Sequence, residues 1–151
     1  MPPVLQPPTG QIILTIKGHI NAGQQEQGVV NFDLAGLLQF PQYRIATKTR
    51  WTEGVQSFEG VLVRDLLKTV GAQGSTVTAI ALDHYTAPDI PIEDFIQYPI
   101  ILAIKNHGNY IKIREKGPLW MIYPLDDFPE LQKDLLTQYK MVWHLRTLLV
   151  K

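Results

Sequence analysis

The sequence predicts a single α+β domain with mixed β-sheets and a few short helices. Three observations predict it: short apolar and β-branched runs are separated by Gly, Pro and Asn turns; only three or four segments carry helical periodicity; and strands and helices do not alternate in the regular way of a doubly wound fold. A chain of 151 residues supports one hydrophobic core and not a second independent one. Residues 1–10 read as an extended proline-rich arm and 11–151 as the domain.

Gln11–Lys17 is apolar and β-branched and ends at Gly18, which reads as a strand and a turn; a second strand is expected at Val29–Phe32. The polar, glycine-flanked stretch Asn21–Gly28 between them has the composition of a solvated loop. Asp33 is placed to cap a short helix in which Leu34, Leu37 and Leu38 form one stripe before Pro41. From Tyr43 to Trp51, strand alternation puts Tyr43, Ile45, Thr47, Thr49 and Trp51 on one face. Arg44, Ala46, Lys48 and Arg50 take the other, a basic face of the kind that guards an exposed edge.

Phe58–Val61 runs into a helix over Leu62–Val70, with Leu62, Leu66, Leu67 and Val70 on its stripe and Gly71 placed to end it. Val77–Asp83 reads as a buried strand, and Pro91 opens a single turn through Ile92 to Phe95. Ile100–Lys105 and Tyr110–Ile113 flank Asn106-His107-Gly108-Asn109, the pattern of an antiparallel hairpin. Gly117-Pro118 introduces a strand at Leu119–Tyr123, Pro129 starts a helix running to Gln138, and Val142–Val150 closes the chain as a strand. The expected total is seven or eight strands and three or four helices.

Composition excludes several function classes. Lys+Arg and Asp+Glu balance at 14 each, so no overall field draws the chain to nucleic acid or an anionic membrane. Its apolar runs are far shorter than the roughly 20 residues of a spanning helix, so no membrane span is expected. Without cysteine there is no disulfide, iron–sulfur cluster, thiolate metal site or cysteine nucleophile. The start, Met1 to Pro8, lacks the basic and apolar regions of a secretory signal, as expected of a cytoplasmic chain or of a mature form trimmed of its signal.

Nucleotide, zinc-protease and hydrolase signatures are missing. His19, His84, His107 and His144 show no metal-ligand spacing and read as surface or structural histidines. Ser57 and Ser75 fall in turn-like surroundings. The neighbours Glu93-Asp94 and Asp126-Asp127 diverge on either a strand or a helix, so neither pair converges on one substrate atom; Glu93 and Asp94 suit a helix first turn.

Three stretches occur in a recognisable order. The first is Thr49-Arg50-Trp51 followed by Phe58-Glu59-Gly60-Val61-Leu62-Val63-Arg64-Asp65-Leu66-Leu67 and Gly71-Ala72. The second is Ile90-Pro91-Ile92, then Leu102-Ala103 and Asn106-His107-Gly108; the third is Gly117-Pro118-Leu119 through Pro124, followed by Trp143. From Asp33 to Val150 this order resembles the oxidoreductase molybdopterin-binding domain of the sulfite oxidase type. In that family a pyranopterin dithiolene and a cysteine thiolate hold molybdenum, and oxygen-atom transfer occurs there. The resemblance implies a cofactor-binding site at Thr47, Lys48, Arg50, Trp51, Asn106, Arg114, Lys116 and Gly117. It also implies an exported, periplasmic location.

The chain departs from the family pattern at three points. Threonine or lysine, near Thr47, lies where the thiolate would be, and a hard, un-ionised hydroxyl does not replace a soft sulfur donor. Trp120 stands where an arginine is usual, which removes an oxyanion-binding guanidinium. Met141 and Val142 precede Trp143 where a lysine is usual.

Two arrangements remain open. Lys48, Arg50, Arg114 and Lys116 border a common cleft with Trp51, Tyr85 and Trp120 as flat surfaces for a heterocycle, or the aromatics are core and the cations solvated. The expected function is a non-catalytic domain that binds a small anionic or heterocyclic ligand, or a protein partner, without a metal. The alternative is an oxidoreductase subunit holding molybdopterin through its pterin and phosphate alone.

Overall fold

Residues 7–22 and 28–151 are described by a computed structural model. Most of the proline arm and the centre of the Asn21–Gly28 loop lie outside the described residues. In chain order the elements are β1 (Leu14–Gly18), β2 (Val29–Phe32), α1 (Leu34–Leu38), β3 (Gln42–Thr47), β4 (Gln56–Leu62), α2 (Val63–Thr69), β5 (Thr76–Ala81) and β6 (Thr86–Pro91). There follow α3 (Ile92–Gln97), β7 (Ile101–Asn106), β8 (Asn109–Tyr110), β9 (Trp120–Ile122), α4 (Pro129–Lys133), α5 (Leu135–Lys140) and β10 (Leu145–Val150).

These strands form two five-stranded sheets over one core, the α+β architecture with mixed pairing that the sequence predicts. The first sheet has the order β2-β1-β10-β5-β6, with β1 and β10 parallel and its other pairs antiparallel. Its central strand is therefore the last one made. The second sheet is antiparallel and runs β3-β4-β7, with the far edge of β7 shared: β9 pairs its first half and β8 its second. Leu14, Ile16, Val77, Ala79, Leu145 and Leu148 from the first sheet and Phe58, Val61, Ile101, Leu102 and Met121 from the second are fully buried in one continuous cluster.

Local signals place several elements as expected. Asp33 caps α1 by accepting the Gly36 N–H at 2.7 Å, and also accepts the Gly10 N–H at 2.9 Å. These two bonds favour the charged carboxylate and hold its pKa below the usual value. In α2, Val63, Leu66 and Leu67 form the buried stripe. From Arg44 to Arg50, along the edge strand β3 and beyond it, the predicted parity holds, with Ile45, Thr47 and Thr49 buried and Arg44, Ala46, Lys48 and Arg50 exposed, whereas Tyr43 at the start of the predicted strand is exposed and Trp51 at its end half-buried.

Other expectations need correction. The strand predicted over Tyr43–Trp51 ends at Thr47, because β3 and β4 pair only as far as Thr47 and Gln56 and residues 48–55 are needed to reverse the chain. The predicted helix from Pro129 to Gln138 is two helices, broken at Asp134, whose extended backbone lets its carboxylate cap α5 through the Leu136 N–H at 3.0 Å. The closing strand starts at Leu145 and not at Val142, since His144 takes a left-handed φ of 54°.

In the β7–β8 hairpin the left-handed residues are His107 and Gly108, and β8 has only two residues before the chain turns away at Lys112. Ser57 lies inside β4 and not in a turn. Strand β6 was not expected: its two prolines disfavour a strand interior, yet it sits at a sheet edge, where a missing donor costs little. Ten strands and five helices among the described residues thus exceed the expected count.

Candidate functional site

Three segments far apart in sequence bring their tryptophans together. Trp51 comes from the β3–β4 loop, Trp120 from the start of β9 and Trp143 from the approach to β10. Backbone bonds between the β9 region and the β10 approach, Met121 N–H to Val142 O at 2.9 Å and Leu145 N–H to Leu119 O at 3.0 Å, hold the last two in register. The rings pack edge to face: Trp51 on Trp143 at 5.0 Å, Trp51 on Trp120 at 6.3 Å, Trp120 on Trp143 at 6.4 Å, and Phe58 on Trp120 at 5.2 Å between centroids. Trp120 is 2% exposed and its Nε1–H donates to the Met141 carbonyl at 3.2 Å.

Lys116 lies over this cluster, with Nζ 5.6 Å from both the Trp120 and the Trp143 ring centroids. Ring quadrupoles attract the ammonium with about 0.5–1 kcal/mol at such a partly exposed site. The Lys116 carbonyl also accepts the His144 N–H at 2.9 Å, and His144 Nδ1 lies 2.6 Å from the Gly117 carbonyl. Gly117 is glycine for a local reason: a Cβ there would collide with the backbone carbonyl of Ile111. Its close approach is to the chain itself.

Two clefts meet the cluster. The first, of about 680 Å³, is lined by Thr52, Asn106, His107, Lys112, Lys116 and Trp120, with Glu115 also on its rim. Asn106 lines this cleft, and its Oδ1 is sealed from solvent without a hydrogen-bond partner in the structure, an acceptor whose desolvation is uncompensated. The second, of about 290 Å³, is lined by Arg50, Trp51, Asp83, Tyr85, Tyr139 and Trp143 among others. The site residues read from the sequence are therefore divided. Asn106 and Lys116 line the first cleft and Arg50 and Trp51 the second, while Thr47, Lys48, Arg114 and Gly117 line neither of the two.

Both open arrangements are partly realised. Trp120 is core, as one reading had it, whereas Arg50, Trp51 and Tyr85 share a cleft, as the other had it. Sequence reasoning passed over Lys112 and Glu115 in the first cleft and Asp83, Gln138 and Tyr139 in the second. The only local sign of the last of these is the apolar excess of α5, whose Leu135, Leu136 and Tyr139 are exposed.

Thr47 is fully buried. Its Oγ1 donates to the Lys48 carbonyl at 3.0 Å and accepts the Asp126 N–H at 3.1 Å, so both of its capacities serve the backbone. With no cysteine in the chain, and no group of three or more His, Asp or Glu close enough for a metal among the described residues, nothing here supplies a thiolate donor. The residues present do not fit a thiolate-held molybdenum.

Among solved structures, the chain is similar in fold to the sulfane dehydrogenase SoxCD from Paracoccus pantotrophus. The TM-score is 0.66 at 16% identity, over 91% of this chain and 37% of that one. This chain thus spans little more than a third of the SoxCD chain it matches, and at that identity the likeness shows the fold alone. No family profile and no curated protein sequence matches it.

SoxCD and this chain share a fold. A polar network links three elements of this chain. Asp94 Oδ2 on α3 accepts both the Tyr123 hydroxyl and the Lys140 ammonium at 3.0 Å, joining α3, the end of β9 and α5. Burial, then the Asp94 charge, raises the Tyr123 pKa well above its ordinary value. No helix among the described residues is long and apolar enough to cross a membrane.

Proposed function

We propose that the chain is a non-catalytic binding domain on an oxidoreductase-like scaffold, taking a small anionic ligand in the cleft between Asn106 and Lys116. The observation that carries the reading is a cleft that sets two ammonium groups, Lys112 and Lys116, against one carboxylate, Glu115, and is also lined by Asn106, whose solvent-sealed Oδ1 has no hydrogen-bond partner. Such a site suits a ligand that brings negative charge to the lysines and an N–H or O–H donor to the asparagine. A volume of about 680 Å³ falls within the range of small-molecule pockets and admits a heterocycle carrying such a group.

The absence of a soft donor at Thr47 and the tryptophan packing support binding without metal chemistry. The test is calorimetric titration with inorganic phosphate, which at pH 7 carries O–H donors, against sulfate, which carries none. Phosphate is expected to bind saturably and more tightly than sulfate. Lys116→Gln is expected to weaken it roughly tenfold or more, the worth of one charge-assisted hydrogen bond. Equal weak heats for both anions, unchanged by Lys116→Gln, would contradict the reading.

A further inference from the structure

The second cleft has a chemistry of its own. Arg50 is exposed and makes no ion pair among the described residues; one Nη1–H donates to the Gln138 side chain at 2.8 Å, which leaves most of the guanidinium fork for another acceptor. Four aromatic rings share the same cleft: Trp51, Tyr85, Tyr139 and Trp143. Tyr85 is held in place, since its hydroxyl donates to the Tyr139 carbonyl at 3.0 Å and so ties the β5–β6 turn to α5. Trp51 and Trp143 are held by each other at 5.0 Å and by Trp120 behind them.

Tyr85 and Tyr139 nevertheless remain 45% and 60% exposed, so apolar surface is left uncovered beside a cation that makes no ion pair among the described residues. Asp83, the one carboxylate of the lining, accepts the Tyr85 N–H at 3.2 Å and sets a limit on charge. It disfavours a dianion and favours a ligand with an N–H of its own.

We infer that this cleft is a second binding site, selective for a flat one- or two-ring heteroaromatic monocarboxylate whose ring lies among Trp51, Tyr85, Tyr139 and Trp143 and whose carboxylate meets Arg50. Its volume of about 290 Å³, at the low end for small-molecule pockets, excludes dinucleotides and large polycyclic ligands. The ring supplies apolar burial and edge-to-face contacts, and the guanidinium supplies a bidentate anchor that a lysine would not match. The site is independent of the Asn106–Lys116 cleft: it calls for a ring and one negative charge, where the other calls for a donor and a compact anion.

The test uses the full chain in calorimetric titrations with indole-3-acetate, indole and inorganic phosphate. Indole-3-acetate is expected to bind saturably, with Kd between roughly ten micromolar and one millimolar for a ligand of this size. Indole, lacking the carboxylate, is expected to bind at least about tenfold more weakly. Arg50→Gln is expected to bring indole-3-acetate to the level of indole while leaving indole unchanged, and Arg50→Lys to fall between. Lys116→Gln is expected to weaken phosphate alone. That pattern separates the two sites, so loss of phosphate binding with indole-3-acetate binding intact would sink only the first. Absence of saturable indole-3-acetate binding, or equal affinity in wild type and Arg50→Gln, would overturn the inference.

Discussion

Truncating Trp120 to alanine tests whether that ring is core or the wall of an open site. Its side chain is 2% exposed, meets Phe58, Trp51 and Trp143 edge to face at 5.2, 6.3 and 6.4 Å, and spends its N–H on the Met141 carbonyl. Removing a fully packed tryptophan costs about 3–5 kcal/mol through lost transfer energy and the cavity left behind. The orphaned Met141 carbonyl keeps the figure in the upper half of that range, about 4 kcal/mol.

With a urea dependence near 2 kcal/mol/M, the unfolding midpoint would fall by about 2 M, or the melting temperature by about 8–16 °C for a domain of this size. Far-UV circular dichroism is the right probe, because the substitution itself alters tryptophan fluorescence. Trp120→Phe should cost only about 1–2 kcal/mol, since it keeps most ring contacts and loses the N–H. A loss below about 1 kcal/mol for Trp120→Ala would mean the ring faces solvent, and the account of Trp120 as core would fail.

Three further outcomes follow from the same geometry. Thr47→Val keeps the shape but removes the buried hydroxyl that accepts the Asp126 N–H and donates to the Lys48 carbonyl, so stability should drop by about 1 kcal/mol or more in urea unfolding; no change would show that the threonine hydroxyl is free. Gly117→Ala forces a Cβ against the Ile111 carbonyl and should cost about 2 kcal/mol or more, with Lys116 displaced from the rings and phosphate binding weakened in parallel. Tyr123 has a folded-state pKa raised above its unfolded value, so it contributes stability that is fully present below about pH 10 and is lost as pH rises towards the folded value. Melting temperatures across that range should fall less steeply in Tyr123→Phe than in wild type, and identical slopes would remove Tyr123 as a cause.

Where a short stretch of chain decides the structure, the sequence was readable. The Asp33 cap, the Leu66–Leu67 stripe of α2 and the exposed basic face of Arg44, Lys48 and Arg50 each follow from spacing within seven consecutive residues. What escaped is set by distant partners. Strand β6 is permitted by its place at a sheet edge, which no window around Pro88 reveals. Likewise, Trp51, Trp120 and Trp143 become one cluster only after β9 and the approach to β10 are bonded, and two clefts meet this cluster where one of the two open arrangements had a common cleft. The missing thiolate was plain from composition, whereas the burial of Thr47 under the Asp126 amide was not.

The most direct measurement is elemental and pterin analysis of the protein purified from a host that makes molybdenum cofactor. Metal well below one atom per chain and no oxidised pterin released on denaturation are the predicted results, because the chain has no cysteine to supply a thiolate and Thr47 is buried with its hydroxyl bonded to the backbone. One molybdenum per chain, retained through gel filtration, would contradict the account.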